Sequence, residues 1–131
     1  MNAEKLAIKT QKQQEKLFQK AFKKGVKRVQ KDINHAMCRG EFVTCAFIYS
    51  WRDHIPSEMT LRLRDAVAEV YQNKGYYIRK YTFGHDARIF DTEYLRISWG
   101  KAIENQIYID GVQERLMKER LAEGGKTTNG K

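Results

Sequence analysis

Lysines at helical spacing in the first 32 residues are the clearest chemical signal in the sequence. Eight of them recur at steps of three or four residues: Lys5, Lys9, Lys12, Lys16, Lys20, Lys23, Lys27 and Lys31. At about 100° per residue, these positions form one stripe along an α-helix, called the lysine stripe below. An ammonium group is a point charge that binds phosphate without reading bases, so this stripe predicts sequence-independent contacts to a nucleic-acid backbone.

The charge balance supports the same interpretation. Residues 1–32 hold ten basic and three acidic residues, a balance of +7 out of +9 for the whole 131-residue chain. Neither Glu15 nor Asp32 falls on the stripe, so repulsion between neighbouring lysines is not offset within the helix, and an external polyanion would offset it. The residues predicted to contact phosphate are Lys9, Lys12, Lys16, Lys20, Lys23, Lys24, Lys27, Arg28 and Lys31. A solvated face without a ligand is the alternative.

A second, weaker candidate surface lies on the predicted strands. Tyr77, Arg79 and Tyr81 alternate onto one face of a strand, and Arg96 of the next strand points away from the predicted helices. Aromatic and arginine side chains on a sheet can stack on bases and contact phosphates. The same pattern also occurs where cross-strand aromatic pairs only stabilise a solvent-facing sheet.

Metal-ligating residues are too few for a structural zinc site. The candidates are His35, Cys38, Cys45 and His54. His35 and Cys38 could share a helix face, but the second close-spaced ligand pair is missing, and Cys45 falls in a predicted core strand. The sequence therefore predicts no metal and no cofactor.

A polar loop after the second strand is the only candidate for catalysis. It gathers His85, Asp86, Asp91 and Glu93, and converging carboxylates could support phosphodiester hydrolysis. Glu93 is followed by Tyr94 and Leu95, so the Glu-x-Lys pattern of such a nuclease is absent. We therefore predict a protein without catalytic activity.

The lysine stripe needs a long helix, predicted from about residue 3 to 38 and ended near Gly40. Its apolar face runs from Phe18 to Met37, whereas residues 3–16 lack one and are expected to project or fray. The remaining predicted elements are strands at 41–51, 76–83 and 94–99, a helix at about 57–73, and a final helix from Val112 to about Glu123 with Leu116, Met117 and Leu121 facing inward. Residues 101–110 fit either an earlier start of that helix or a fourth strand.

These elements predict an α+β fold, with a small mixed sheet of three to four strands and helices mainly on one face. Cys45–Tyr49 is apolar on both faces, so the first strand is predicted to be central. The strand–helix–strand unit makes the first two strands parallel, adjacent or with one strand between them. One domain is expected over residues 1–123, followed by a polar tail at 124–131.

The composition argues against a membrane-spanning or secreted protein. The longest apolar run, Cys45–Tyr49, is too short to span a membrane, and the first residues contain no apolar segment typical of a secretory signal. Two cysteines fit a reducing compartment, so an intracellular location, cytoplasmic or nucleoid-associated, is expected. The predicted function is a small nucleic-acid-binding accessory protein acting on DNA or RNA. The alternative is an assembly subunit whose first helix docks on an acidic protein, as a homo-oligomer or in a larger complex.

Overall fold

The computed structural model describes residues 2–49, 55–83 and 92–129. The chain forms two compact units, residues 1–99 and residues 100–131. The first unit contains α1 (Ala3–Cys38), β1 (Val43–Phe47), a short 3₁₀ helix (Ser57–Met59), α2 (Thr60–Gln72), β2 (Tyr77–Phe83) and β3 (Thr92–Ser98). The second contains α3 (Ala102–Asn129). The α+β class predicted from the sequence is confirmed.

The three strands form one sheet in the order β1-β3-β2, with β3 antiparallel to both neighbours. β1 and β2 therefore run in the same direction with one strand between them, which is one of the two arrangements predicted. Because both neighbouring pairs are antiparallel, the sheet itself is antiparallel and not mixed. Arg96 of β3 lies opposite Cys45 of β1 and Arg79 of β2, and this fixes which side chains share a face.

The prediction that β1 is central was wrong, since β3 occupies that position and β1 is an edge strand. The apolar residues of β1, and Ile48 directly after it, lie in two different environments. Ala46 and Ile48 are buried in the core, whereas Phe47 lies on the other face and is 57% exposed. There it contacts Tyr94, with ring centroids 5.8 Å apart. An edge strand with an aromatic pair on its outer face thus has the same apolar pattern as a buried strand.

Both ends of α1 are fixed by local chemistry. The Asn2 side chain accepts a hydrogen bond from the Lys5 backbone N–H at 2.9 Å and caps the first turn. At the other end, Gly40 adopts a φ of +75°. The Gly40 N–H donates to the Met37 carbonyl and the Glu41 N–H to the Ala36 carbonyl, both at 2.9 Å. This is a Schellman motif, which ends the helix where the sequence predicted.

The core of the first unit lies between the two helices and one face of the sheet. It combines residues of α1, β1, the 3₁₀ helix, α2 and β3 with Ile48, which directly follows β1: Phe18, Ala21, Val29, Ile33, Ala46, Ile48, Met59, Leu63, Val67, Ala68, Tyr71, Leu95 and Ile97. Gly25 marks the closest approach, because a Cβ there would lie 3.0 Å from the Ile48 carbonyl oxygen. The buried Tyr71 hydroxyl donates to the Val26 carbonyl at 3.0 Å and so joins α2 to α1.

α3 is one continuous helix from Ala102 to Asn129. Of the two possibilities for residues 101–110, the structure therefore shows the helix from residue 102 onward, so the preferred start at Val112 was ten residues too late. Asp110 and Gln113 resemble a cap, but the helix continues through Gly111. Residues 124–129, predicted as a tail, are also helical. The prediction that Leu116, Met117 and Leu121 face inward was wrong, because all three are exposed.

Candidate nucleic-acid interface

The lysine stripe lies on the exposed side of α1. All eight lysines are exposed, whereas Phe18, Ala21, Val29, Ile33 and Ala36 on the opposite side are at most 5% exposed. From Lys5 to Lys31 the stripe extends for about 40 Å at a rise of about 1.5 Å per residue. The surface predicted from spacing alone is therefore present as a continuous row of ammonium groups.

Local periodicity explains this placement. The buried residues of α1 recur every three or four positions from Phe18 to Ala36, and they turn that side of the helix toward the sheet and α2. The lysines lie about 180° away on the helical wheel, where lysine side chains stay in water. The core thus orients the C-terminal half of the stripe, and helical continuity carries the alignment to Lys5.

No ion pair neutralises the stripe within residues 2–49, 55–83 and 92–129. The nearest acidic side chain on α1, Glu15, is paired with Arg62 of α2 through two hydrogen bonds of 3.2 and 3.4 Å. It also accepts from the Gln19 side chain at 3.2 Å. These hydrogen bonds, first that of Arg62, hold the pKa of the Glu15 carboxyl below its ordinary value. Glu15 is therefore bound by an arginine of the neighbouring helix and offsets little of the lysine charge.

An open, shallow groove of about 600 Å³ lies along the middle of this face. Its lining consists of Lys12, Glu15, Lys16, Gln19, Lys20 and Lys23. Four of the six are members of the lysine stripe, so a ligand in this groove would lie mostly against the aliphatic stems of lysine side chains, with their ammonium groups beside it and no aromatic ring.

Lys24 and Arg28, also predicted to contact phosphate, flank the stripe on its β1 side. Lys24 is exposed, but Arg28 is only half-exposed, and its guanidinium donates to the Ile48 carbonyl at 3.4 Å. Arg28 therefore helps to hold α1 on β1. It is a poorer candidate for a mobile phosphate contact than the eight lysines.

The second predicted surface is the outer face of the sheet, and the structure brings its residues together. Tyr81 stacks on Tyr94 with ring centroids 5.0 Å apart and an interplanar angle of 13°. Arg96 donates to the Tyr81 hydroxyl at 3.2 Å, and Arg79 lies opposite Arg96. Tyr77 lies opposite Ser98 at the end of the same face. Tyr77, Arg79, Tyr81 and Arg96 are all half-buried.

Sequence reasoning did not assign a site role to Tyr94 or Phe47, which complete this face. Phe47, Tyr94 and Tyr81 are in register across the three strands and form a row of rings. The alternation of β3 identifies the face of Tyr94, but only the register places Phe47 beside it. The rings contact one another, as expected for cross-strand pairs that stabilise a sheet.

The structure does not combine the two candidate surfaces. α1 packs on the inner face of the sheet and turns the lysine stripe away from it, while the aromatic and arginine residues lie on the outer face. The two surfaces therefore lie on opposite sides of the first unit. A single short stretch of nucleic-acid backbone cannot contact both.

The residues considered for catalysis are only partly described. Glu93 is 1% exposed, and its carboxylate accepts hydrogen bonds from Arg64 at 3.0 Å and from Thr82 at 2.8 Å. It forms a buried ion pair between α2 and β3, which is a structural role. His85, Asp86 and Asp91 lie outside the described residues.

The metal candidates do not converge in the part of the chain that the structure describes, where no group of three His, Cys, Asp or Glu residues could hold an ion. His54 lies outside the described residues. Cys45 was predicted to be buried in a core strand, but it is exposed because it points to the outer face of an edge strand. Cys38 is exposed as well.

Among the described residues, no helix is both long and apolar enough to cross a membrane. The sequence matches no protein-family model, and comparisons with curated proteins and with solved structures give no match.

Proposed function

We propose that this protein is a nucleic-acid-binding accessory protein without catalytic activity, and that it binds phosphates through the lysine stripe. The observation that supports this function is the combination of eight exposed lysines on one helix face with no acidic partner among the described residues. Lysine ammonium groups contact phosphate as point charges, so binding is independent of base sequence.

Counterion release supplies much of the affinity in this mode. Each phosphate neutralised on a duplex contributes about 0.9 to the slope of log K against log salt. Since 0.1 M salt is one decade below the 1 M reference, each contact raises the binding constant at 0.1 M by about eightfold, and its loss lowers the binding constant by the same factor. A stripe that makes several such contacts gives binding that weakens steeply between about 50 and 200 mM salt.

The chain itself offers a comparison with an ordinary solvated helix face. On α3, charges of opposite sign follow each other at a spacing of four residues, as in Glu114 with Lys118 and Arg115 with Glu119. Such pairs stabilise a helix, whereas lysines spaced four apart repel one another. The uniform sign on α1 is therefore a cost to the helix that a bound polyanion removes.

A charge-matched pair of variants tests the proposal. Lys20, Lys23 and Lys27 are changed together to Glu, and the control changes Arg115, Lys118 and Arg120 of α3 to Glu. Both variants lower the net charge by six. Fluorescence anisotropy with labelled DNA and RNA should show a loss of at least about 500-fold at 0.1 M salt for the stripe variant, from about eightfold per contact.

The α3 control should lose far less affinity, because only the general field of the protein changes. Equal losses in the two variants, or no binding of any nucleic acid at 50 mM salt, would contradict the proposal. Retained nucleic-acid binding by the stripe variant would contradict it as well. Circular dichroism checks that both variants keep their helix content.

A further inference from the structure

We infer that the ligand of the lysine stripe is a double-stranded nucleic acid, bound along its backbone over about one helical turn. This inference rests on the proposed function and specifies the ligand class for the same surface. Three features of α1 carry it: the absence of a stacking ring, the length of the stripe and the width of its band of lysines.

The exposed side of α1 has no aromatic residue. The two aromatic residues of this helix, Phe18 and Phe22, lie on its opposite side, where Phe18 is buried and Phe22 packs against the core. Between the lysines the exposed side carries amides such as Gln13, Gln19 and Asn34. Proteins that bind single strands combine a basic groove with rings on which bases stack. The stripe provides the charge without the rings, which suits a duplex whose bases are already stacked.

The length of the stripe matches a duplex. Lys5 to Lys31 spans about 39 Å at about 1.5 Å per residue, while one turn of B-form DNA measures about 34–36 Å. At about 3.4 Å per base pair, the stripe covers about 12 base pairs. A duplex is also stiff over about 150 base pairs, so it meets a continuous helix without first losing conformational freedom.

The lysines form a band along the helix and not a single line. On the helical wheel their positions cover about 100° of arc, in even steps of about 20°. A band of this width can meet the phosphates of both strands across a groove, whereas a lone strand offers only one row of phosphates.

The test uses the full chain and four labelled ligands of 12 nucleotides per strand: duplex and single-stranded DNA, and duplex and single-stranded RNA. Anisotropy at about 0.1 M salt should show at least tenfold tighter binding of a duplex than of either single strand. Equal or tighter binding of a single strand would overturn the inference and leave the proposed function intact. Absence of binding to all four ligands would overturn the proposed function itself.

Two half-stripe variants test the footprint. One changes Lys5, Lys9 and Lys12 to Gln, and the other changes Lys23, Lys27 and Lys31 to Gln. On a 12-base-pair duplex each variant should lose about 500-fold in affinity at 0.1 M salt. The second ligand is a 6-base-pair hairpin, which covers only half of the stripe. Each variant should bind it only about twofold more weakly than the original protein does, because one of the two half-stripes that can hold the hairpin is still intact.

A loss confined to one of the two variants on the 12-base-pair duplex would overturn the full-length contact. A large loss by both variants on the 6-base-pair duplex would overturn it too, since the short duplex would then depend on both halves at once. Glutamine is a good helix former and the replaced lysines are exposed, so both variants should keep α1 helical. Circular dichroism checks that they do.

Discussion

The two candidate surfaces of the first unit differ in what their side chains do inside the protein. On the outer face of the sheet, Tyr81 stacks on Tyr94, and Arg96 donates to the Tyr81 hydroxyl. On α1, all eight lysines of the lysine stripe are exposed, and none forms an ion pair within the described ranges. The aromatic and arginine side chains are engaged in holding the sheet, whereas the lysines contribute little to the fold.

This difference shows why composition alone misleads about binding surfaces. Tyrosine and arginine are common in interfaces, yet the same residues also form cross-strand pairs that stabilise a sheet. A row of like charges has no comparable structural use, because neighbouring lysines on a helix destabilise it by about 0.2–0.5 kcal/mol per pair. The surface that costs stability is therefore the better candidate for a ligand.

The largest effect is expected when all eight lysines of the stripe are changed to Gln, which tests the comparison of the two surfaces directly. Duplex affinity at 0.1 M salt should fall by more than about 1,000-fold, and the salt slope should approach zero. The free energy of unfolding should rise by about 1–3 kcal/mol, because the repulsion between neighbouring lysines along the stripe is removed. Anisotropy and urea denaturation measure the two effects. If this variant still bound the duplex with a steep salt slope, the binding site would lie on another surface, and the outer face of the sheet would be the next candidate.

A second change concerns the attachment of α1 to the sheet. In Gly25→Ala, the new Cβ lies 3.0 Å from the Ile48 carbonyl oxygen and 3.2 Å from a Val67 methyl group. The backbone must shift, and this outweighs the better helix propensity of alanine, so a net loss of about 2 kcal/mol in unfolding free energy is expected.

Gly111→Ala is the matched control, because nothing lies within 4 Å of its added Cβ. It should raise the stability of the helix by about 1 kcal/mol. Urea denaturation separates the two variants. Stabilisation by both would show that α1 does not approach β1 as closely as described. Neither change should affect duplex affinity while the protein is folded.

A third, smaller effect is expected on the outer face of the sheet. Tyr81→Ala removes the stack on Tyr94 and the hydrogen bond from Arg96, and should lower the free energy of unfolding by about 1 kcal/mol. Tyr81→Phe keeps the ring and should cost about 0.5 kcal/mol. Duplex affinity should stay within twofold in both variants. A tenfold loss of affinity with unchanged stability would assign binding to this face.

The smallest effect is the titration of Glu15, the acidic residue nearest the stripe. Hydrogen bonds from Arg62 and Gln19 lower the pKa of its carboxyl below 4.5. Because the folded pKa is depressed, the stabilisation is present above the unfolded value and is lost as the pH falls through the folded pKa. NMR titration of the carboxyl carbon should show a midpoint below 4.5 that moves back toward 4.5 in Arg62→Gln. An unshifted midpoint in the original protein would show that the pair does not persist in solution.

The bounds of the N-terminal helix could be predicted from the sequence, although its buried face ends at Ala36 and the prediction that Met37 belongs to it was wrong, since Met37 is exposed. Its bounds, Ala3–Cys38, agree with the predicted 3–38, since apolar residues at a spacing of three and four identify the helix and Gly40 marks its end. The direction of the lysine stripe follows from the same periodicity. Local sequence determines these features, and no distant contact needs to be known.

Features that depend on partners in space could not be predicted in this way. The position of β1 at the edge depends on which strands pair, and Cys45–Tyr49 has the same apolar pattern in either position. The ring row of Phe47 and Tyr94 depends on the register. In α3, Asp110 and Gly111 resemble a helix start, although a helix tolerates one internal glycine at a cost of about 1 kcal/mol. Pairing and context decide such cases.

The two ends of α1 differ in how much they pack against other elements, and this difference should be visible in hydrogen exchange. Residues 3–13 are exposed on all sides, and in the described part of the chain the side-chain hydrogen bonds from α1 to other elements begin at Gln14 and Glu15. A helical segment of this length is marginal in water without packing. Its amide hydrogens should exchange through local fraying, whereas those around Val29 and Ile33 should wait for global unfolding. A bound duplex would slow exchange most at the N-terminal end, where Lys5, Lys9 and Lys12 lie.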